Sequence, residues 1–99
     1  MTERQSIPAR SEVIVLDYPY ITTKGEHIER ITLRAPTVRD RLLRSRDPAP
    51  EAEANINMMA RLSGMTLEDL LLMEIADYLR LEDTFNFLAR PITPVSKAK

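Results

Sequence analysis

The sequence contains no cysteine and no tryptophan, and only two of its 99 residues are glycine. The absence of cysteine excludes a disulfide framework, a thiolate zinc site and a cysteine nucleophile. With only Gly25 and Gly64, the chain also lacks the glycine-rich loop that cradles phosphate groups. No apolar run approaches the roughly 20 residues that a membrane-spanning helix requires, and the first residues contain no apolar signal segment. We therefore expect a soluble, intracellular protein.

A chain of 99 residues has room for one small hydrophobic core. Residues 1–11 are polar and lack periodicity, which predicts a flexible N-terminal arm. Residues 12–90 are expected to form a single α+β domain. Residues 91–99, which begin with a proline, are expected to form a flexible tail.

Two β-strands are predicted at the start of this domain. Residues 13–16 are rich in β-branched side chains, and apolar and polar side chains alternate in residues 28–34. Pro19 cannot donate a hydrogen bond to a neighbouring strand, so we expect the first strand to end around Asp17. The two strands form a hairpin over residues 13–34. Because an isolated hairpin is only marginally stable, it must pack against helices.

The segment 38–89 predicts about four short helices, separated by prolines and by a glycine turn. Their expected ranges are 38–46, 51–63, 67–73 and 75–88. In the first helix, Val38, Leu42 and Leu43 are expected on one side and the arginines on the other. The sequence thus predicts an N-terminal β-hairpin followed by a bundle of about four short helices.

No group of residues points to catalysis. His27 is the only histidine, and a zinc site or a nucleophile–base pair needs at least two suitable side chains. Glu74 and Asp77 share one helical face, but solvated carboxylates often have this spacing, and no apolar pocket is apparent to shift their pKa values. We therefore expect a non-enzymatic protein without a metal ion or cofactor.

The alternative function is that of a helix-turn-helix DNA-binding regulator. The predicted helices 51–63 and 67–73 are joined by a turn at Gly64 and have the spacing of that motif. A recognition helix presents basic or amide side chains to DNA, whereas residues 67–73 are acidic and apolar. Nucleic-acid binding is therefore the less favoured interpretation.

The last three helices carry an excess of methionine, leucine and phenylalanine side chains. These side chains either all fill the core or in part form an exposed apolar groove, for which methionine is well suited. The sequence leaves both interpretations open. In the second, the partner-binding residues are Leu71, Leu72, Tyr78, Leu81 and Phe85. Replacing Leu81 and Phe85 with Asp is then expected to remove binding and to spare the fold.

A basic patch is the second candidate surface in a chain whose net charge is only −1. It lies on the first predicted helix, beside a more acidic helical region in residues 51–89. Such a cluster is either a solvated face or a contact for an acidic partner. The candidate partner-binding residues of this patch are Arg39, Arg41, Arg44 and Arg46.

Three segments, in this order and spacing, resemble a known family. They are residues 31–40 (ITLRAPTVRD), 60–70 (ARLSGMTLEDL) and 75–79 (IADYL). These segments are similar to motifs of the small tail assembly chaperones of Mu-like and P2-like phages. The resemblance covers roughly residues 13–90.

This resemblance implies a non-catalytic phage or prophage protein that binds the tape-measure protein and keeps it soluble during tail tube assembly. The implied partners are the tape-measure protein, further copies of the chain and, through a longer frameshifted form, the tail tube protein. The protein is expected in the cytoplasm of the bacterial host and is expected to be absent from the finished virion. No membrane partner is expected.

Overall fold

The computed structural model describes residues 10–93, in which two β-strands precede four helices. The strands are β1 (Ser11–Ile21) and β2 (His27–Arg34), and the helices are α1 (Val38–Arg46), α2 (Glu51–Ser63), α3 (Leu67–Leu70) and α4 (Ile75–Ala89). The predicted α+β fold, an N-terminal hairpin followed by four helices, is confirmed. Within these residues, no helix has the length and apolar character needed to cross a membrane.

The ends of the domain differ slightly from the prediction. Residues 1–9 of the predicted arm and 94–99 of the predicted tail lie outside the described residues. Ser11 belongs to β1, and the backbone carbonyl of Arg10 accepts a 2.8 Å hydrogen bond from the amide of Ala35. The expected arm was therefore too long, because Arg10 and Ser11 are part of the folded structure.

The hairpin buries one of its faces against helices. β1 and β2 pair antiparallel, with Ile14 opposite Ile31. These two side chains, together with Leu16 and Leu33, are buried. α2 and α4 pack against this face, which satisfies the requirement of a two-stranded sheet for a helical layer.

β1 continues past Pro19, whereas the sequence indicated an end around Asp17. The pairing register of the two strands shifts around Pro19, so the missing amide falls where no regular ladder bond is required. In this stretch the amides of Asp17 and Tyr18 donate to the carboxylate of Asp77 in α4, at 3.0 and 2.9 Å. The Asp77 side chain thus accepts hydrogen bonds from β1 where β2 does not pair regularly with it.

The helix boundaries follow from residues at the helix ends. Thr37 and Asp40 form a capping box at the start of α1, and Thr66 caps α3 by accepting a hydrogen bond from the amide of Asp69. Gly64 has φ 72° after α2, a left-handed conformation that glycine adopts without a Cβ penalty. α3 is a single turn of four residues and is shorter than the predicted range 67–73.

One apolar core lies between the hairpin and the helices. It includes Met58, Met59 and Met73, and Leu33 and Leu81 are its most deeply buried members, each 0% exposed. The core interpretation therefore holds for these three methionines. The assignment of Leu81 to an exposed groove was wrong, because its side chain fills the interior.

α1 is oriented differently from the prediction. Val38, Leu42 and Leu43 are 85%, 46% and 40% exposed, and Asp40 is the buried residue of this helix. The apolar side chains and the arginines also do not occupy separate sides. The prediction was wrong because a carboxylate, rather than apolar side chains, anchors the helix.

Candidate partner-binding site

α1 is attached to the domain through the buried carboxylate of Asp40. This carboxylate accepts two hydrogen bonds from Arg34 of β2, at 2.8 and 3.0 Å. Arg61 Nε of α2 lies 3.3 Å from it, and the amide of Thr37 donates to it at 2.8 Å. The Arg34 guanidinium holds the pKa of Asp40 well below its ordinary value and outweighs the opposite effect of burial. A charged Asp40 therefore ties β2, α1 and α2 together at neutral pH.

Two polar contacts hold the C-terminal end of α1. Arg44 Nε donates to the side-chain oxygen of Asn55 at 2.7 Å. Asn57 Nδ2 donates to the Asp47 carboxylate, just beyond the helix, at 2.9 Å. α1 is thus fixed largely by charged and polar contacts, and its exposed apolar side chains are available to a partner.

An open groove of about 450 Å³ lies between α1 and α4. We call it the α1–α4 groove and define it by the lining residues Arg10, Val38, Arg41, Arg44, Phe85 and Leu88. Its lining is apolar where Val38, Phe85 and Leu88 contribute, and the arginines give it positive charge. Arg10 Nη2 donates to the backbone carbonyl of Leu88 at 2.8 Å, which fixes the start of the hairpin beside the end of α4.

A second apolar surface surrounds α3. Two adjoining hollows of about 240 and 220 Å³ share Ile56 and Leu71 as lining residues. Leu67 also lines the first hollow, and Ile75 and Tyr78 line the second. We call these five residues the α3 surface. Its most exposed part is formed by Leu67, Leu71 and Ile75, all of which are large and solvent-accessible.

The structure divides the five residues of the predicted apolar groove among four places. Leu71 and Tyr78 belong to the α3 surface, and Phe85 lines the α1–α4 groove. Leu72 is exposed but lines neither surface. Because Leu81 is in the core, replacing it with Asp would bury a charge. The expectation that the fold tolerates Leu81→Asp was therefore wrong.

The predicted basic patch is divided into two pairs. Arg41 and Arg44 line the α1–α4 groove. Arg39 and Arg46 project from a different side of α1, because successive helical residues advance by about 100°. With the exposed Leu42 and Leu43 they form a surface that we call the α1 ridge. The structure thus joins half of the basic patch to Phe85 in one groove.

Several groove residues carried no functional signal in the sequence. Arg10 lies in a polar segment, and Leu88 belongs to an ordinary amphipathic pattern. Val38 is at the first position of a helix, where an apolar side chain usually faces inward. The only sequence signal on this side of the domain was the threonine–aspartate pattern of Thr37 and Asp40, which indicates a polar cap at the start of α1.

The described residues do not form a recognisable catalytic or metal site. His27 Nδ1 lies 3.1 Å from the carboxylate of Glu29, and both side chains are exposed. The Asp77 carboxylate accepts hydrogen bonds from two backbone amides and from Arg80. Within residues 10–93 no three His, Asp or Glu side chains are grouped so that they could hold a metal ion.

The geometry of α3 does not favour DNA recognition. A recognition helix must enter the major groove and reach several bases. α3 is one turn long and carries Glu68 and Asp69. The Asp69 carboxylate is also within hydrogen-bond distance of the amide and hydroxyl of Thr23, at 3.4 and 3.3 Å.

Several of the residues that carry the family resemblance join the elements of the fold. Arg34, Thr37, Asp40 and Arg61 meet in one polar cluster. Gly64 ends α2. The motifs therefore explain how the elements are joined. They also contribute lining residues to both surfaces, namely Val38 in the α1–α4 groove and Leu67, Ile75 and Tyr78 in the α3 surface.

Comparison with known proteins agrees with this fold and resemblance. The family described as "Phage tail assembly chaperone proteins, E, or 41 or 14" matches residues 13–90. No curated protein and no solved structure gave a significant match. The match covers both strands from Val13 onward and all four helices. The chain belongs to the phage tail assembly chaperone family.

Proposed function

We propose that this chain binds the tape-measure protein through the α1–α4 groove and keeps it soluble while the tail tube assembles. A tape-measure protein that the tube does not yet surround exposes long apolar helical stripes, which favour aggregation. Membership of the tail assembly chaperone family supports a tail protein as the partner. The groove supports a helix as the form in which that partner binds.

The observation that carries this proposal is that the exposed Val38, the half-buried Phe85 and cationic side chains line one groove. Val38 and Phe85 provide anchoring positions, and an amphipathic helix fills such a groove with side chains spaced three or four residues apart. Within residues 10–93, the guanidinium of Arg41 makes no ion pair. It is therefore available to an acidic side chain of the partner. The segment recognised is accordingly an apolar helix flanked by acidic residues.

The proposal includes release of the chaperone. A groove this open gives modest affinity for each copy, and several copies on one long partner hold it through their combined contacts. When the tube covers the tape-measure protein, these contacts are replaced one at a time. The chaperone is then absent from the finished virion.

The remaining parts of the proposal rest on membership of the tail assembly chaperone family. The chain acts in the cytoplasm of the bacterial host without catalysis and without a cofactor. It associates with further copies of itself. A longer frameshifted form contacts the tail tube protein and so links the two partners.

The test is co-expression with the long helical protein encoded beside this chain in its genome. The wild-type chain is expected to keep that protein soluble and to co-purify with it. The variant Val38→Asp should weaken binding about 5–30-fold, which corresponds to about 1–2 kcal/mol at an interface anchor. Its fold should persist, because position 38 is exposed and Asp is favourable in the first turn of a helix.

The matched control is Val15→Asp, since Val15 is also an exposed apolar residue and lies on the hairpin, outside the lining of the groove. This control should bind like the wild type. An insoluble tape-measure protein with the wild-type chain would overturn the proposed function. Equal loss of binding in both variants would instead remove the groove as its site.

A further inference from the structure

We propose that copies of this chain associate head to tail, with the α1 ridge of one copy seated on the α3 surface of the next. The inference specifies the self-association included in the proposed function. It does not depend on binding of the tape-measure protein. A second copy is therefore the occupant assigned to both surfaces.

The α1 ridge is an unpartnered apolar surface with positive charge. Leu42 and Leu43 are exposed on it, between the exposed arginines 39 and 46. Neither Arg39 nor Arg46 makes an ion pair within residues 10–93. Arg41 lies on the opposite side of α1 from the centre of the ridge, whereas Leu42 is one helical turn beyond Val38.

The α3 surface is an unpartnered apolar surface with negative charge. Glu53 lines the same hollow as Leu67 and Leu71. Glu68 and Glu74 directly adjoin Leu67 and Ile75 in the chain and are exposed. In the part of the chain that the structure describes, none of these three glutamates makes an ion pair.

The charges select one pairing of these surfaces. Two ridges placed together would oppose arginines, and two α3 surfaces placed together would oppose glutamates, which disfavours a two-fold symmetric contact. A ridge on an α3 surface brings opposite charges together around apolar side chains. The two surfaces belong to α1 and α3, which pack separately against α2. A contact between different surfaces continues as a row or closes as a ring.

The test uses two variants that each destroy one surface. The ridge variant is Arg39→Ser with Leu42→Ser, and the α3 variant is Glu53→Lys with Leu71→Lys, so the two altered surfaces do not attract each other by charge. All four positions are exposed. The control, Arg30→Ser with Val15→Ser, also replaces an exposed arginine and an exposed apolar residue, but on the hairpin. Circular dichroism verifies that each variant is folded.

The readout is molecular mass by light scattering at low salt, for concentrations up to about 1 mM, where millimolar dissociation constants are still detected. The wild type and the control should increase in mass with concentration. Each surface variant alone should remain a monomer. A mixture of the two variants should form a one-to-one dimer that grows no further, since only one intact ridge and one intact α3 surface are present.

Three outcomes would overturn the head-to-tail contact. They are a wild type that is monomeric at every concentration, a surface variant that still associates alone, and a mixture that stays monomeric. If the α3 variant, but not the ridge variant, loses the tape-measure protein in co-expression, the α3 surface binds that partner instead. Failure of tape-measure binding by the wild type leaves the mass measurements intact, so the two proposals fail separately.

Discussion

The carboxylate of Asp40 accepts hydrogen bonds from three separate parts of the chain. Arg34 comes from the end of β2, Thr37 from the turn before α1, and Arg61 from the last turn of α2. A buried carboxylate is costly unless it is paired and hydrogen-bonded. Because this one is both, a single side chain fixes the position of α1.

We expect Asp40→Asn to lower the free energy of unfolding by about 1.5–3 kcal/mol at pH 7, since it removes charged hydrogen bonds to two arginines that themselves remain partly exposed to solvent. The pKa of Asp40 is lowered in the folded chain. Its contribution is therefore complete above the pKa of the unfolded chain, near 4, and is lost as the pH falls toward the folded pKa. Urea denaturation of both proteins between about pH 2 and pH 7 measures this difference.

The exposed Asp83 provides the comparison for this residue. Asp83→Asn should change stability by less than about 0.5 kcal/mol at any pH in this range. A difference between wild type and Asp40→Asn that stays constant down to about pH 2 would contradict the role assigned to the charge.

The sequence indicated the local part of this cluster but not its centre. A threonine followed three residues later by an acid is a helix-start pattern, so Thr37 and Asp40 were readable as a cap. A capping acid is ordinarily solvated, however. Its burial depends on Arg34 and Arg61, which approach from other elements, and sequence spacing gives no information about that meeting.

At the scale of elements, Asp77 of α4 provides hydrogen-bond acceptors for the part of β1 where regular pairing with β2 is interrupted. The buried Asp77 carboxylate accepts the amides of Asp17 and Tyr18, and Arg80 donates to it at 2.9 Å. This contact lies where the register of the hairpin shifts. It explains why a strand that contains Pro19 continues to Ile21.

We expect Asp77→Ala to release this part of β1. Hydrogen bonds to a charged group contribute about 1.5–3 kcal/mol, so hydrogen exchange at the amides of Asp17 and Tyr18 should accelerate by about 10–100-fold. Nuclear magnetic resonance resolves these amides from those of Val13 and Ile14, which precede the register shift. Equal acceleration at all four amides would show that Asp77 acts on global stability alone.

Element boundaries were more predictable than element orientation. The prolines after α1, Gly64 after α2 and Thr66 before α3 are local signals, and the helices begin and end near them. The outward orientation of Val38 depends on what anchors α1. That anchor is set by tertiary contacts, which helical periodicity does not contain.

At the scale of the molecule, the fold combines residues that the sequence assigned to two surfaces. Phe85 was predicted in an apolar groove and Arg41 in a basic patch, and both line the α1–α4 groove. Conversely, Leu71 and Phe85 were predicted together but lie on different surfaces. Helix packing decides these groupings, so a list of exposed candidates was predictable but the site was not.

The mixed lining of the groove predicts a moderate salt dependence of tape-measure binding. Raising the salt concentration from about 0.05 M to about 0.5 M shortens the Debye length and should weaken binding a few-fold, while the apolar contacts persist. Fluorescence anisotropy with a labelled helical segment of the tape-measure protein measures the dissociation constant. Arg41→Glu should bind more weakly at low salt and lose most of this dependence.

The control for this measurement is Arg30→Glu, a charge reversal on the hairpin with the same net effect on the chain. It should retain the wild-type salt dependence. If Arg30→Glu and Arg41→Glu respond equally, the dependence reports the net charge of the molecule and the groove arginines have no specific role.

The hydrogen bond from Arg10 to the carbonyl of Leu88 has a consequence for chain connectivity. It joins residues 78 positions apart, and both of them line the α1–α4 groove. Arg10 and the end of α4 therefore lie together at the proposed tape-measure site. A segment that continued from α4 would start beside this groove, so under the proposed function a tail tube subunit bound to such a segment would be held near the tape-measure protein at high effective concentration.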